Sequence, residues 1–529
     1  LDNETKHYDN TGCYMQEGFV RHLKEKYVSL DALNQDFGLD YWSNRIDRWE
    51  DFPPVENTIN ASLACAFSHY QRLQVTEYLA WQAEIVREYA KPQQFVTHNF
   101  DFEWRGYSFG VQPRVDHFAA AKCLSVAGVD IYHPSQDHLT GREIAFGGAV
   151  TRSLKDGQNY FVLETQAQGF PQWTPYPGQL RLQAFSHVAA GAAMVSYWHW
   201  HSIHNSFETY WKGLLSHDFS RNPTWQEATT IGADFARLSP QLDNLRAEHD
   251  VALLVSNEAM DALNQFKPGT AQTNVYNDIV RRFYDALYDS NIAVDIINDI
   301  GEDAARYQAI VIPALYAVDD ALLARINRYI EEGGRALIGF KSGFSDENVK
   351  VRRDAQPGGL SEACGVSYSQ FTLPENVTVA ASDPAIDSAQ GNQAELWMEL
   401  LTPAPHARTL LHYQHPVWTQ YAAATEADFG KGLAMYVGFL PQQELVTRLF
   451  DHLTRGLTLG SRTTNARFPL IVRQMRNRQG KTVSFVFNYS GDAQRLVSDL
   501  SGVSLLSADK VAPGVTLQLA PWGFDIIES

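Results

Sequence analysis

The stretch NYFVLETQAQGFPQWTPYPGQLRLQAFSHVAAGAAMVSYWHW (159–200) decides how this chain is read. A nearly continuous apolar run, YFVL, closes on Glu164. A loop follows, then Pro177-Gly178, then a helical pattern in LRLQAFSHVAAGAAM, and a second apolar run ends in Trp200. Short apolar runs of this kind are how strands buried on both faces of a parallel sheet read, and strand, helix, strand is a β/α unit. Upstream the same beat continues. QQFVTHNF (93–100) and GVDIYHP (128–134) are strand-like, and SLACAFSHYQRLQVTEYLAWQAEIVREYAK and VDHFAAAKCLS are helical. LDNE (1–4) reads as the tip of one more strand delivering a carboxylate. Polar residues at the carboxyl ends of such strands are where a β/α barrel keeps its chemistry.

Downstream the pattern changes near 240–250. VALLVSN, IAVDIIN, QAIVIPAL and RALIGF alternate with helices such as NDIVRRFYDALYDS and DDALLARINRYIEEGG, which predicts a doubly wound α/β domain. The final stretch alternates in PLIVRQMRN, KTVSFVFNYS and VTLQLAPWGFDIIES and predicts a small antiparallel β domain. The expected fold class is therefore α/β, with the C-terminal half of a (β/α)8 TIM barrel in view. The expected domains are 1–245, 246–460 and 461–529.

Composition narrows the function. The chain has 529 residues, 44% hydrophobic and 20% charged, in the range of globular proteins. A formal net charge of −18 argues against nucleic acid or an anionic membrane as partner. Aromatics at 12% suit the flat apolar faces of pyranose rings as well as a core. Cys13, Cys65, Cys123 and Cys364 are far apart and show no metal-ligand spacing, so no metal site, reduced thiols and a cytoplasmic location are expected.

Glu4 and Glu164 form the candidate catalytic pair. If LDNE ends the fourth barrel strand, the runs that follow are strands five to eight and Glu164 closes the seventh. Two carboxyls on those strands face each other across the barrel mouth, and a separation of about 5–5.5 Å is the machinery of a retaining glycosidase. Alone, an Asn-Glu dipeptide is more often a solvated strand end; the joint pattern argues the other way.

The run ETQAQGFPQWTPYPGQLRLQAFSHVAAGA, followed by YWHWHSIHNSFETYW, resembles the strand-seven to strand-eight segment of glycoside hydrolase family 42, the β-galactosidases. FVRHLKEKYVSLDALNQDFGLDYWS resembles the segment after that family's acid/base Asn-Glu, and GVDIYHP its sixth-strand end. The resemblance implies a retaining enzyme acting on terminal β-galactosides without a cofactor, with Glu164 as nucleophile and Glu4 as acid/base. It implies Asn3, Tyr132, Trp173, Trp200 and Glu208 around the substrate, beside the motif positions Pro177-Gly178 and Arg181. His201 and Trp211 stand where many members have an Arg and a His, which puts the holding of the sugar's 4- and 6-hydroxyls in question. An arabinopyranoside or fucoside substrate, or a non-catalytic sugar-binding or assembly role, is the alternative. Only Cys13 lies in the loop where some members bind zinc, too few ligands for a tetrahedral site. The middle domain resembles class I glutamine amidotransferases in outline. It carries Lys341-Ser342-Gly343 where a nucleophilic cysteine would sit, so a homotrimer interface is its expected use. By the same resemblance LDNET is not a beginning: three strands and most of a fourth are expected upstream. Residues 1–529 alone are not expected to close an active barrel.

Overall fold

The computed structural model describes residues 1–269, 274–386, 392–464 and 466–529. The first region is a parallel sheet of β1 (Asn99–Phe100), β2 (Gly128–Asp130), β3 (Tyr160–Gln166) and β4 (Ala192–Trp198), ordered as in sequence. The strand runs are shorter than the apolar patterns suggest. Of QQFVTHNF only Asn99–Phe100 enters the ladder with β2, and GVDIYHP leaves it after Asp130. LDNE lies alongside β1 as expected. The Leu1 nitrogen donates to the Thr97 carbonyl at 2.7 Å, Asn3 bridges Asn99 in parallel, and the Glu4 N–H donates to the Asn99 carbonyl at 2.9 Å. Among the described residues this sheet has four strands plus that bridged segment.

Helices cover the sheet. After α1 (Cys13–Lys26), α2 (Ala61–Tyr89) is capped by Asn60, whose side chain accepts the Leu63 N–H at 2.8 Å and satisfies one orphan donor. Next come α3 (Arg142–Ser153) and α4 (Gln179–Ala189), the latter entered through Gly178 at φ +91°, a left-handed backbone that glycine adopts without strain. α5 (Pro223–Leu242) begins with proline in its first turn behind an Asn222 cap. The predicted helix at VDHFAAAKCLS is only one turn, His117–Ala120, continued as a 3₁₀ turn over Ala121–Cys123.

The second region is an eight-stranded sheet. β5 (Val251–Leu254), β6 (Asp295–Ile297), β7 (Ala309–Ile312) and β8 (Arg335–Gly339) are parallel, and the first and last two are almost wholly buried, as their apolar runs require. Three antiparallel strands that the sequence pattern did not announce extend one edge: β9 (Thr378–Ala381), β10 (Arg408–Gln414) and β11 (Ala422–Phe429). They join through β12 (Gly432–Val437), which pairs in parallel with β8. The third region is a five-stranded antiparallel sheet built on Leu470–Arg476, Thr482–Asn488 and Phe524–Glu528.

Charge pairs clamp the regions together. Arg281 donates to Glu143 at 2.9 Å, Arg152 to Asp295 at 3.0 Å, and Arg72 to Asp261 at 2.7 Å, each guanidinium buried and paired. No helix among the described residues is long and apolar enough to cross a membrane.

Candidate active site

The site lies at the carboxyl ends of β1 to β4, where each strand delivers a polar or aromatic group: Asn99, Asp130, Glu164 and Trp198. Glu164 is half-buried and both of its oxygens are held. The Asn99 amide donates to Oε1 at 2.8 Å and the Tyr132 hydroxyl donates to Oε2 at 2.8 Å. The same Asn99 amide donates to Asn3 Oδ1 at 2.9 Å, which ties the bridged segment to the site. Burial pushes the Glu164 carboxyl up, the Tyr132 hydrogen bond opposes this, and the charges of Glu4 and Glu208 add to the rise. Tyr132 in turn is buried beside Glu164, which holds its hydroxyl protonated and donating.

Glu4 is half-buried, with φ +46°, a left-handed conformation uncommon outside glycine. One carboxylate oxygen from each of Glu4, Asp130 and Glu164 lies within 4.8 Å of the other two. That group is the only one of its kind among the described residues. Lys6 Nζ stands 3.5 Å from Glu4 Oε2 and also pairs with Asp101, whose Oδ2 accepts from Gln112 at 2.8 Å. With an ammonium beside Glu4 and both Glu164 oxygens already accepting, the cluster suits two-carboxyl chemistry better than the holding of an ion.

The remaining predicted residues fall into two groups. Glu208 is drawn to the site, accepting from the Trp198 indole at 3.2 Å, close enough for its charge to reach Glu164. Trp211 is only 4% exposed, with its ring edge-on to Tyr132 at 5.0 Å and its indole N–H donating to the Trp198 carbonyl at 3.1 Å. It therefore braces Tyr132 from behind. Trp200 is 60% exposed and stacks on no aromatic ring among the described residues. Trp173 packs against His138 at 5.7 Å, and its buried indole nitrogen has no hydrogen-bond partner among the described residues. His201 lies among His199, His204 and Phe219, its Nδ1 2.9 Å from the Ser202 carbonyl. Arg181 turns to Asp234 at 2.7 Å and to the Phe524 ring, away from the carboxyls.

Three contributors escape sequence reasoning. Asn99 and Asp130 end strands already recognised, and their position was the available signal. Lys6 gave none, because its partner Asp101 is remote in the chain.

A parallel β/α sheet that presents two facing carboxyls at its strand ends, one of them held by a tyrosine, is the arrangement of a barrel glycoside hydrolase. The chain belongs to glycoside hydrolase family 42, the β-galactosidases: the model of the β-galactosidase domain matches residues 1–238 and that of the β-galactosidase trimerisation domain matches residues 249–459. A β-galactosidase from Clostridium cellulovorans is 24% identical, over 100% of this chain and 79% of its own length. One from Haloferax lucentense is 29% identical, over 95% of this chain and 75% of its own. The solved β-galactosidase of Halorubrum lacusprofundi superposes with a TM-score of 0.84 at 25% identity, covering 100% of this chain and 78% of that one. That of Bacillus circulans sp. alkalophilus gives 0.86 at 23% identity with the same coverage, a likeness that speaks to the fold.

Proposed function

We propose that this glycoside hydrolase cleaves terminal non-reducing β-D-galactosides by double displacement, with Glu164 as nucleophile and Glu4 as acid/base. The observation that carries the assignment is the approach of the two carboxyls, oxygen atoms within 4.8 Å. So close an approach favours a retaining pair, whose carboxyl groups stand about 5–5.5 Å apart, over an inverting pair at roughly 6.5–9.5 Å. The roles divide by their partners. Glu164 accepts two hydrogen bonds that stabilise its ionised form and fix its direction, as a nucleophile requires. In the first step Glu164 bonds to the anomeric carbon while the glycosidic C–O bond breaks and Glu4 gives its proton to the leaving oxygen. In the second, water attacks the same carbon, the ester to Glu164 breaks, and Glu4 takes the proton of the water.

Asn3, Tyr132, Trp200 and Glu208 are proposed to face the sugar, with Trp211 acting through Tyr132. The match of residues 249–459 to a trimerisation domain supports a homotrimer. The four free cysteines suit a reducing compartment, the cytoplasm.

A 2-deoxy-2-fluorogalactoside with an activated leaving group tests the central assignment. It should trap a covalent adduct on the peptide carrying Glu164. An adduct on Glu4, or none in the full-length enzyme, contradicts it. A panel of aryl glycosides separates galactoside from arabinopyranoside or fucoside preference, the alternatives raised by His201 and Trp211 standing where many members have an Arg and a His.

A further inference from the structure

A third carboxyl shares the site. Asp130 ends β2 in register with Glu164, is 2% exposed, and has an oxygen within 4.8 Å of both Glu4 and Glu164. Its Oδ2 is buried with no hydrogen-bond partner among the described residues. An ionised carboxylate in that position would be a buried charge facing the negative charge that the catalytic pair already holds, the arrangement that folded proteins relieve by protonation. The charged and titratable groups around it are Glu4, Glu164, Asp101, Tyr132 and Lys6. Lys6 is the one cation among them, and it is already engaged by Asp101 and Glu4. We infer that Asp130 is a positioning residue of the double displacement, a neutral carboxylic acid whose O–H supports the single negative charge of the catalytic pair, first on Glu164 and then on Glu4.

The charge count explains why one neutral acid between them suits both steps. Before reaction Glu164 is ionised and Glu4 carries a proton. Once Glu164 has bonded to the anomeric carbon it is an uncharged ester, and Glu4, having given its proton to the leaving oxygen, is ionised. Water then attacks, its proton returns to Glu4, and Glu164 regains its charge. The pair holds one negative charge throughout, and the charge moves from one carboxyl to the other. Asp130 lies close to both. Burial and the like charges of Glu4, Asp101 and Glu164 hold its carboxyl well above the usual range, so it stays neutral while the charge moves.

This inference rests on the roles given to Glu4 and Glu164, and its test separates the two. Asp130→Asn keeps the shape and offers an N–H donor; Asp130→Ala removes both. In the enzyme, Asp130→Asn should retain kcat/KM within about tenfold and leave both limbs of the pH–rate profile where they are in the parent. Asp130→Ala should lose roughly 10- to 150-fold, the range for a hydrogen bond to a charged group. A move of a profile limb by a full pH unit or more in Asp130→Asn would mean that Asp130 is ionised during turnover, and would overturn the inference. So would an Asp130→Ala enzyme within twofold of the parent. Should Asp130→Ala not fold, the infrared carbonyl stretch of a protonated carboxylic acid in the parent, missing from Asp130→Asn, reads the same state without activity. Its presence unchanged in both proteins would also overturn the inference. Failure of the fluorosugar to label Glu164 would instead sink the roles of the pair, whatever Asp130 does.

Discussion

Two clusters of charge sit at the carboxyl ends of parallel strands in this chain, and they are finished differently. In the barrel region Glu4 and Glu164 are half-buried, and Asp130 Oδ2, Asp101 Oδ1 and Asn99 Oδ1 are buried without partners. In the α/β region Lys341 stands just beyond β8, at φ +59°, at the strand-end turn where an amidotransferase-like fold would place a nucleophile. There both carboxylate oxygens of Glu399 are filled. The Lys341 backbone N–H donates to Glu399 Oε1 at 2.9 Å, where the Trp397 indole also donates at 3.2 Å, and the Tyr436 hydroxyl fills Oε2 at 2.9 Å. Lys341 is 3% exposed, and its ammonium lies over the rings of Tyr316, Phe344 and Trp397 at 4.3, 4.6 and 4.0 Å. A site prepared for a ligand leaves polar groups unsatisfied and reachable; a structural cluster satisfies its carboxylate and encloses its cation.

Substitutions can break that contrast, and the largest effect belongs to the nucleophile. Glu164→Ala should lose roughly 10⁴-fold or more in kcat/KM on every galactoside, because the covalent step is gone whatever the leaving group. Glu4→Ala should lose about 10²- to 10⁴-fold on substrates whose leaving group needs a proton. With a nitrophenyl galactoside it should show a burst of nitrophenolate followed by a stall. A loss below about a hundredfold for both variants would contradict the catalytic reading. Tyr132→Phe removes one hydrogen bond from an ionised carboxylate and should cost roughly 10- to 150-fold in kcat/KM with folding intact.

Glu399→Gln should leave kcat/KM within about twofold and alter stability alone. Burial raises the Glu399 carboxyl to about 7 from 4.5, so between those pH values the folded protein binds a proton that the unfolded chain has released. Its contribution is full below pH 4.5 and is lost as pH rises through about 7. Thermal unfolding should therefore show the parent losing stability relative to Glu399→Gln as pH rises across that interval. Parallel curves for the two proteins would remove the distinction between the clusters.

The sequence made the strand ends legible because a parallel strand buried on both faces is a compact apolar run, and its first polar residue marks the barrel mouth. That is how Glu164 and Glu4 stood out. Partners from distant segments were not legible: Asn99 reaches Asn3 and Lys6 reaches Asp101 across more than ninety residues, and Asn99 reaches Glu164 across 65. Nor was the edge-on contact of Trp211 with Tyr132 legible, since the two rings come from separate strands' loops. The edge strands β9 to β11 were missed because their alternation is weak and β10 carries a register irregularity against β11.

Azide rescue tests the assignment of roles most directly. Azide needs no base, so with Glu4→Ala and an activated aryl β-galactoside it should attack the glycosyl-enzyme from the open face, speed turnover and release β-galactosyl azide. With Glu164→Ala it can enter only from the side the nucleophile has vacated, giving α-galactosyl azide. Proton NMR of the two products reads the anomeric configuration. The β-azide from Glu4→Ala and the α-azide from Glu164→Ala are the predicted results, and the same products with the variants exchanged would contradict the account.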